Sequence, residues 1–146
     1  MLAEKLKVPD ELRVLDGPGW VYERKLDGLR CLAVRNGPAV ELWSRNHLPM
    51  TGRFTEIAAA LAVLTAGDFV IDGEVVAFEG ERTSFAHLQR PGPGARPVYC
   101  AFDLLHLLGR DITALPQSER SALLSRVIAG AGGVLRTVET VETVEA

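Results

Sequence analysis

Lys25 and Arg30 flank an Asp-Gly pair in the run Tyr22-Glu23-Arg24-Lys25-Leu26-Asp27-Gly28-Leu29-Arg30-Cys31. Short runs with strand character lie on either side, Trp20 to Tyr22 and Leu29 to Val34. Asp-Gly between two such runs predicts a type I′ hairpin, because that turn needs φ > 0 at both central positions. In that register Leu26 pairs with Leu29, and Lys25 lies across from Arg30. Glu23 then shares their face. Like charges directly opposite are normally destabilising, and a local rule broken in this way is expected at functional sites. A lysine of pKa ~10.4 is protonated at neutral pH and a poor nucleophile. A cationic neighbour, or burial, frees its amine. The chemistry on offer is therefore attack by an amine beside an arginine and a carboxylate. A solvated charged hairpin, with Glu23 pairing to its neighbours, accounts for the same spacing.

Three more stretches carry candidate groups. Phe69 to Phe78 is nearly continuous apolar sequence, interrupted by Asp72-Gly73-Glu74. Alternation places Asp72 and Glu74 on one face of a strand. Carboxylates in such a run are costly unless paired or ligand-bound, and Gly73 leaves room for another group to approach closely; a strand edge or bulge is the plain alternative. Val98 to Leu105 reads as a second buried strand. Its Phe102, a phenylalanine in an apolar strand, reads on this ground as core. Ser44-Arg45-Asn46 ends a third strand, and an arginine fork suits a phosphate; a polar turn is the plain alternative. His47, His106 and Arg110 are assigned no role.

The elements that position these groups follow from punctuation and periodicity. Residues 1–19 read as an extended lead-in broken by Pro9, Gly17, Pro18 and Gly19. The hairpin fills 20–35, Asn36-Gly37 marks a second turn, and Ala39 to Ser44 completes a meander. Arg53 to Ala66 has a helical stripe of Phe54, Ile57, Ala58, Leu61, Val63 and Leu64. Ser84 can cap a short helical turn from Phe85 to Gln89. Arg90 to Pro97 is a Pro/Gly-rich loop. Pro116 opens a helix from Gln117 to Ala129. Val134 to Val138 suits one more strand. The Val-Glu-Thr repeat beyond it fits neither period, so 134–146 is expected to be a weakly ordered tail.

The 146 residues suffice for a single domain, 47% hydrophobic and 24% charged. A net charge of −3 gives no global basic field, so nucleic acid would have to meet a local patch. Cys31 and Cys100 have no metal or disulfide spacing and fit a reducing cytoplasm. No stretch is long and apolar enough for a membrane span.

Lys25 to Arg30 resembles the K-x-D-G-x-R motif of ATP-dependent DNA ligases, RNA ligases and mRNA capping enzymes. The family's S-R-x, D-G-E and (F/Y)-D-L-L elements follow in order as Ser44-Arg45, Asp72-Gly73-Glu74 and Phe102-Asp103-Leu104-Leu105. The chain resembles the front part of the adenylation domain of a small bacterial ATP-dependent DNA ligase. The resemblance implies an α+β nucleotidyltransferase fold, ATP-grasp-like, of antiparallel β-sheets with flanking helices. It implies Lys25 as the nucleophile that takes AMP from ATP. Arg30 and Glu74 become ribose contacts, Phe102 the platform for the purine, and Glu23 a neighbour of the adenine. Arg45 becomes a contact to the phosphate of nicked double-stranded DNA, and magnesium the metal, with its ligands unassigned. The pattern departs from the family after Phe102. The E-G-x-(V/I)-x-K and K-x-K elements and the OB-fold domain do not follow, and Lys25 is the last lysine. Weak solo activity is expected, with a missing C-terminal half or a partner chain supplying the rest. A non-catalytic nucleotide- or nick-binding module, and an RNA ligase or capping-type enzyme, are the competing readings.

Overall fold

The computed structural model describes residues 20–92 and 95–141. The lead-in expected over 1–19, part of the 90–97 loop and the last five residues lie outside them. In chain order the elements are β1 (Tyr22–Glu23), β2 (Leu29–Asn36), β3 (Ala39–Ser44), α1 (Thr55–Ala62), β4 (Phe69–Val76), β5 (Phe78–Glu79) and β6 (Arg82–Thr83). There follow α2 (Phe85–Gln89), β7 (Val98–Leu107), β8 (Arg110–Asp111), α3 (Gln117–Ile128), β9 (Leu135–Thr137) and β10 (Thr140–Val141). They fall into two units. The larger is Leu26–Val138, and the described part of the smaller comprises residues 20–25 and 139–141.

Alternation organises the larger unit. In β4, Phe69, Ile71 and Val75 are buried on one face, while Asp72 and Glu74 turn to the other. β4 is central in a sheet ordered β3-β2-β4-β7-β8, with β9 added to β7. The β2–β3, β2–β4 and β4–β7 ladders are all antiparallel. Ile57 and Leu61 of α1 and Leu124, Val127 and Ile128 of α3 join Ala33, Leu42, Ile71, Tyr99 and Leu104 in one core. Both helices thus cover one face of the sheet. Each fully buried aliphatic side chain contributes about 1.5–3 kcal/mol there. The architecture is the expected α+β arrangement.

Local chemistry explains the helix ends. Ser84 caps α2 as expected, its hydroxyl accepting the His87 N–H at 3.3 Å. α1 ends at Ala62, short of the expected Ala66, and Arg35 takes over its exposed carbonyls. The Arg35 guanidinium donates to the Leu61 and Leu64 carbonyls and lies over the Phe69 ring. Val63, assigned above to the apolar stripe, is 78% exposed. It follows Leu61 by two residues, about 200° around a helix, and so points away from the core.

The hairpin expected over 20–35 does not form. β1 pairs with β10, Tyr22 opposite Val141 and Glu23 opposite Thr140. Both edges of β2 are taken by β3 and β4, so Arg30 lies opposite Glu74 and not opposite Lys25. Gly28 is required for a different reason than a turn. Its backbone is not left-handed, but a Cβ there would stand 2.2 Å from the Val75 carbonyl oxygen. The glycine lets the chain pass close against β4.

A strand forms where Val134 to Val138 was expected to supply one, and β10 lies in the repeat beyond it. Leu135 is 4% exposed and anchors β9, which runs parallel to β7 with Tyr99 opposite Leu135. The main sheet is therefore mixed at this edge. β9 satisfies backbone groups of β7 that β8 is too short to reach. No helix among the described residues is long and apolar enough to cross a membrane.

Candidate active site

The sheet face away from the helices collects the charged groups. From β2, Arg30 reaches Asp72 of β4 with both ends of its fork, Nε to Oδ1 at 3.1 Å and Nη2 to Oδ2 at 2.6 Å. This bidentate pair fixes the guanidinium plane. The guanidinium carbon sits 5.3 Å from the centre of the Phe102 ring, a cation–π distance. Asp72 raises the Arg30 pKa, chiefly through its side-chain hydrogen bonds.

Phe102 gains this position from a β-bulge. Along β4 and β7 the register passes from Asp72 opposite Asp103 to Gly73 opposite Ala101, leaving Phe102 as the extra residue. Tyr99, Ala101 and Leu104 keep the core row, while Phe102 stays half-buried outside it. Bulges re-aim side chains in this way next to active sites. Phe102 belongs to neither apolar cluster, which weighs against the core alternative.

Glu74 stands opposite Arg30, and its Oε2 is buried without a hydrogen-bond partner. Such an acceptor costs about 1–3 kcal/mol and is suited to a ligand hydroxyl. Burial raises the Glu74 pKa. Arg30 opposes the rise, nearby Asp27 adds to it, and the Gly28 N–H opposes it again. A carboxyl whose pKa is higher folded than unfolded contributes stability below its unfolded pKa and loses it as pH rises through the folded value. At pH 8 ionised Glu74 therefore weighs against folding. Glu74→Gln is expected to raise Tm at pH 8, with the gain shrinking as pH falls through the Glu74 titration. Melting curves at pH 8 and pH 4 check this; an equal shift at both would refute the assignment.

A second, smaller apolar cluster adjoins Glu74. Val76, Val98 and Cys100 form it with Leu26, Phe78 and Val138. Cys100 lies opposite Glu74, and Arg136 covers the Phe78 ring at 5.0 Å. Burial pushes the Cys100 thiol up to about 11 and Cys31 to about 12, so neither competes as a nucleophile.

Arg45 is exposed in a turn after β3 that Ser44 builds, its hydroxyl accepting the N–H groups of Asn46 and Leu48. Glu23, in β1, and Lys25, just beyond it, are exposed members of the smaller unit. The structure thus brings together Arg30, Glu74 and Phe102, and it adds Asp72. Asp72 was visible as Glu74's companion on one face, but its arginine partner depends on the β2–β4 pairing, which no local pattern announces.

Magnesium does not fit a protein-built cage here. Among the described residues no three His, Cys, Asp or Glu side chains gather as ligands, and both Asp72 oxygens bind Arg30. A magnesium ion commonly arrives with phosphates and waters and needs few protein carboxylates.

Comparison with known proteins finds DNA ligases. DNA ligase C2 of Mycolicibacterium smegmatis is 41% identical over 126 residues, covering 79% of this chain and 36% of that protein. The multifunctional non-homologous end joining protein LigD of Mycobacterium bovis is 32% identical over 124 residues, covering 84% of this chain and 16% of its own length. A solved structure of mycobacterial DNA ligase D complexed with ATP and MES superposes with a TM-score of 0.70 at 30% identity. That match covers 83% of this chain and 40% of the other. The chain spans little more than a third of the ligase C2 it matches. The ATP dependent DNA ligase domain family matches residues 1–146, and the chain belongs to that family.

Proposed function

We propose that the chain carries the adenylation half-reaction of an ATP-dependent DNA ligase, in the service of DNA repair. The observation that carries this reading is the convergence of Arg30, Glu74 and Phe102 on one open sheet face, in a chain whose Lys25 belongs to the same motif as Arg30. The Lys25 amine attacks the α-phosphorus of ATP. A P–N bond forms, the P–O bond to pyrophosphate breaks, and the amine proton leaves to solvent. AMP then passes from lysine to the 5′-phosphate at a nick, and the 3′-hydroxyl displaces it to seal the strand. A divalent cation carried by the phosphates would neutralise their charge.

The site residues take the following parts. The orphaned Glu74 oxygen accepts a ribose hydroxyl, which relieves its burial without a partner. Arg30 lies beside the ribose with its plane held by Asp72. Phe102 stacks on the purine, Glu23 lies at the adenine edge, and Arg45 meets the nick phosphate. Phe102→Ala should weaken ATP binding by about 1–3 kcal/mol, the range for loss of one base–aromatic stack. Tm should change little, because the ring lies outside the core row. Calorimetric titration with ATP and a melting curve decide it; a mainly thermal effect would return Phe102 to the core.

A carboxylate, an arginine and an aromatic ring converging on one sheet face would equally serve a site that only binds, and this is the second reading. On that reading the residues bind nucleotide or nick without turnover, and the charges for the α-phosphate come from a further segment or partner chain. Incubation with α-labelled ATP and magnesium separates the two. Label that survives denaturation marks adenylation. A folded protein that binds ATP without label supports the second reading. Label from GTP in preference to ATP would point to a capping-type enzyme.

A further inference from the structure

We infer that Thr83 is a positioning residue for the lysine, acting through the backbone of Asp27. The inference rests on the adenylation reading above. Asp27 follows Lys25 by two residues, so its conformation sets the path of the chain that leaves the nucleophile. The Asp27 N–H donates to Thr83 Oγ1 at 2.8 Å. In return Asp27 Oδ2 accepts the Phe85 N–H at 3.3 Å. Two residues from one short segment thus grip one aspartate from both its backbone and its side chain.

The gripping segment is itself fixed to β4. After Val76 the chain makes the β5–β6 hairpin, with Gly80 in the left-handed region at φ 63° and Phe78 paired with Thr83. The Ser84 N–H then donates to the Ala77 carbonyl at 2.9 Å. Gly28, next to Asp27, packs against the Val75 carbonyl. β4 therefore supplies Glu74 directly and, through its continuation, the hydroxyl that holds the residues after Lys25. Without Thr83 Oγ1, the Asp27 N–H would have only water as an acceptor in place of a fixed one.

Misplacement of a nucleophile by about 1 Å can slow a reaction by 10²-fold, so a partial loosening should show as roughly a tenfold loss in rate. The test uses the full chain, α-labelled ATP and single-turnover kinetics. Thr83→Val removes the hydroxyl and keeps the shape and strand preference of the side chain. It should lower the maximal rate of lysyl-AMP formation about tenfold, with the half-saturating ATP concentration unchanged. Thr83→Ser should restore the rate, and the Asp27 amide should exchange with solvent faster in the valine variant alone. Equal rates and equal exchange in parent and Thr83→Val overturn the inference, as does a valine effect that serine does not rescue. A parent chain that takes no label overturns the adenylation reading itself, which separates the two failures.

Discussion

Lys25→Ala is expected to abolish covalent labelling by α-labelled ATP altogether. A phosphoramidate needs an amine, and the chain has three lysines, Lys5, Lys7 and Lys25. The small number makes the result easy to read, because a label that persisted without Lys25 would have only two other lysines to occupy. Lys25→Arg should be equally inert. Arginine keeps the charge, but its guanidinium stays protonated and offers no free electron pair. Neither change should lower Tm appreciably, since Lys25 is exposed and lies outside the strands. Retained nucleotide binding with no label would show that the residue supplies the bond and not the affinity. Label persisting in Lys25→Ala would sink the assignment and with it the proposed mechanism.

Gly73→Ala should produce the largest loss of stability. Gly73 faces the core in the middle of β4, and the ring of Tyr99 crosses over it. A Cβ at that position would stand 2.6 Å from Tyr99 Cζ and 2.6 Å from the Cys100 carbonyl oxygen. Neither neighbour can yield. The carbonyl belongs to the β7 backbone, and Tyr99 is fully buried. Its hydroxyl shares one proton between the Cys31 carbonyl at 2.9 Å and the Ile71 carbonyl at 3.1 Å. Overpacking and the displaced hydroxyl together should cost about 3 kcal/mol or more. For a chain of this size that is a fall in Tm of roughly 10 °C. Gly52→Ala is the control, since a Cβ there meets nothing within 4 Å. If the two variants melt alike, the close approach over Gly73 is not what the residue is for.

Local chemistry was the part of the fold that the sequence exposed. Alternation put Asp72 and Glu74 on one face of a strand because the period of two is a backbone property. Ser84 was legible as a cap because capping involves only four neighbouring residues. Gly73 was legible as a close-approach site, although the group that approaches proved to be the protein's own Tyr99. The Asp27-Gly28 pair misled for a physical reason. Glycine serves left-handed turns and tight crossings equally well, and the strand crossed lies more than forty residues on. The same distance hid the partner of Asp72. Phe102 was ambiguous because a bulge shifts the strand period by one, and nothing in Ala101-Phe102-Asp103 marks the extra residue. The family resemblance pointed to Lys25, Arg30, Glu74 and Phe102 together; the geometry adds how Arg30, Glu74 and Phe102 come to lie side by side.

The strand order β3-β2-β4-β7 also governs when this surface can come into being. Of these four strands, only β2 and β3 are joined by a tight turn. The β2–β4 and β4–β7 ladders each close a long loop, and such non-local pairings are slow to form. During synthesis from the N-terminus, Lys25 and Arg30 emerge early, but the Phe102 bulge cannot exist until β7 has left the ribosome. For that interval the apolar face of β4 and the edge of β4 that β7 will cover are exposed together, the condition under which strands mispair. The nascent chain is thus most vulnerable to aggregation between the appearance of β4 and the arrival of β7.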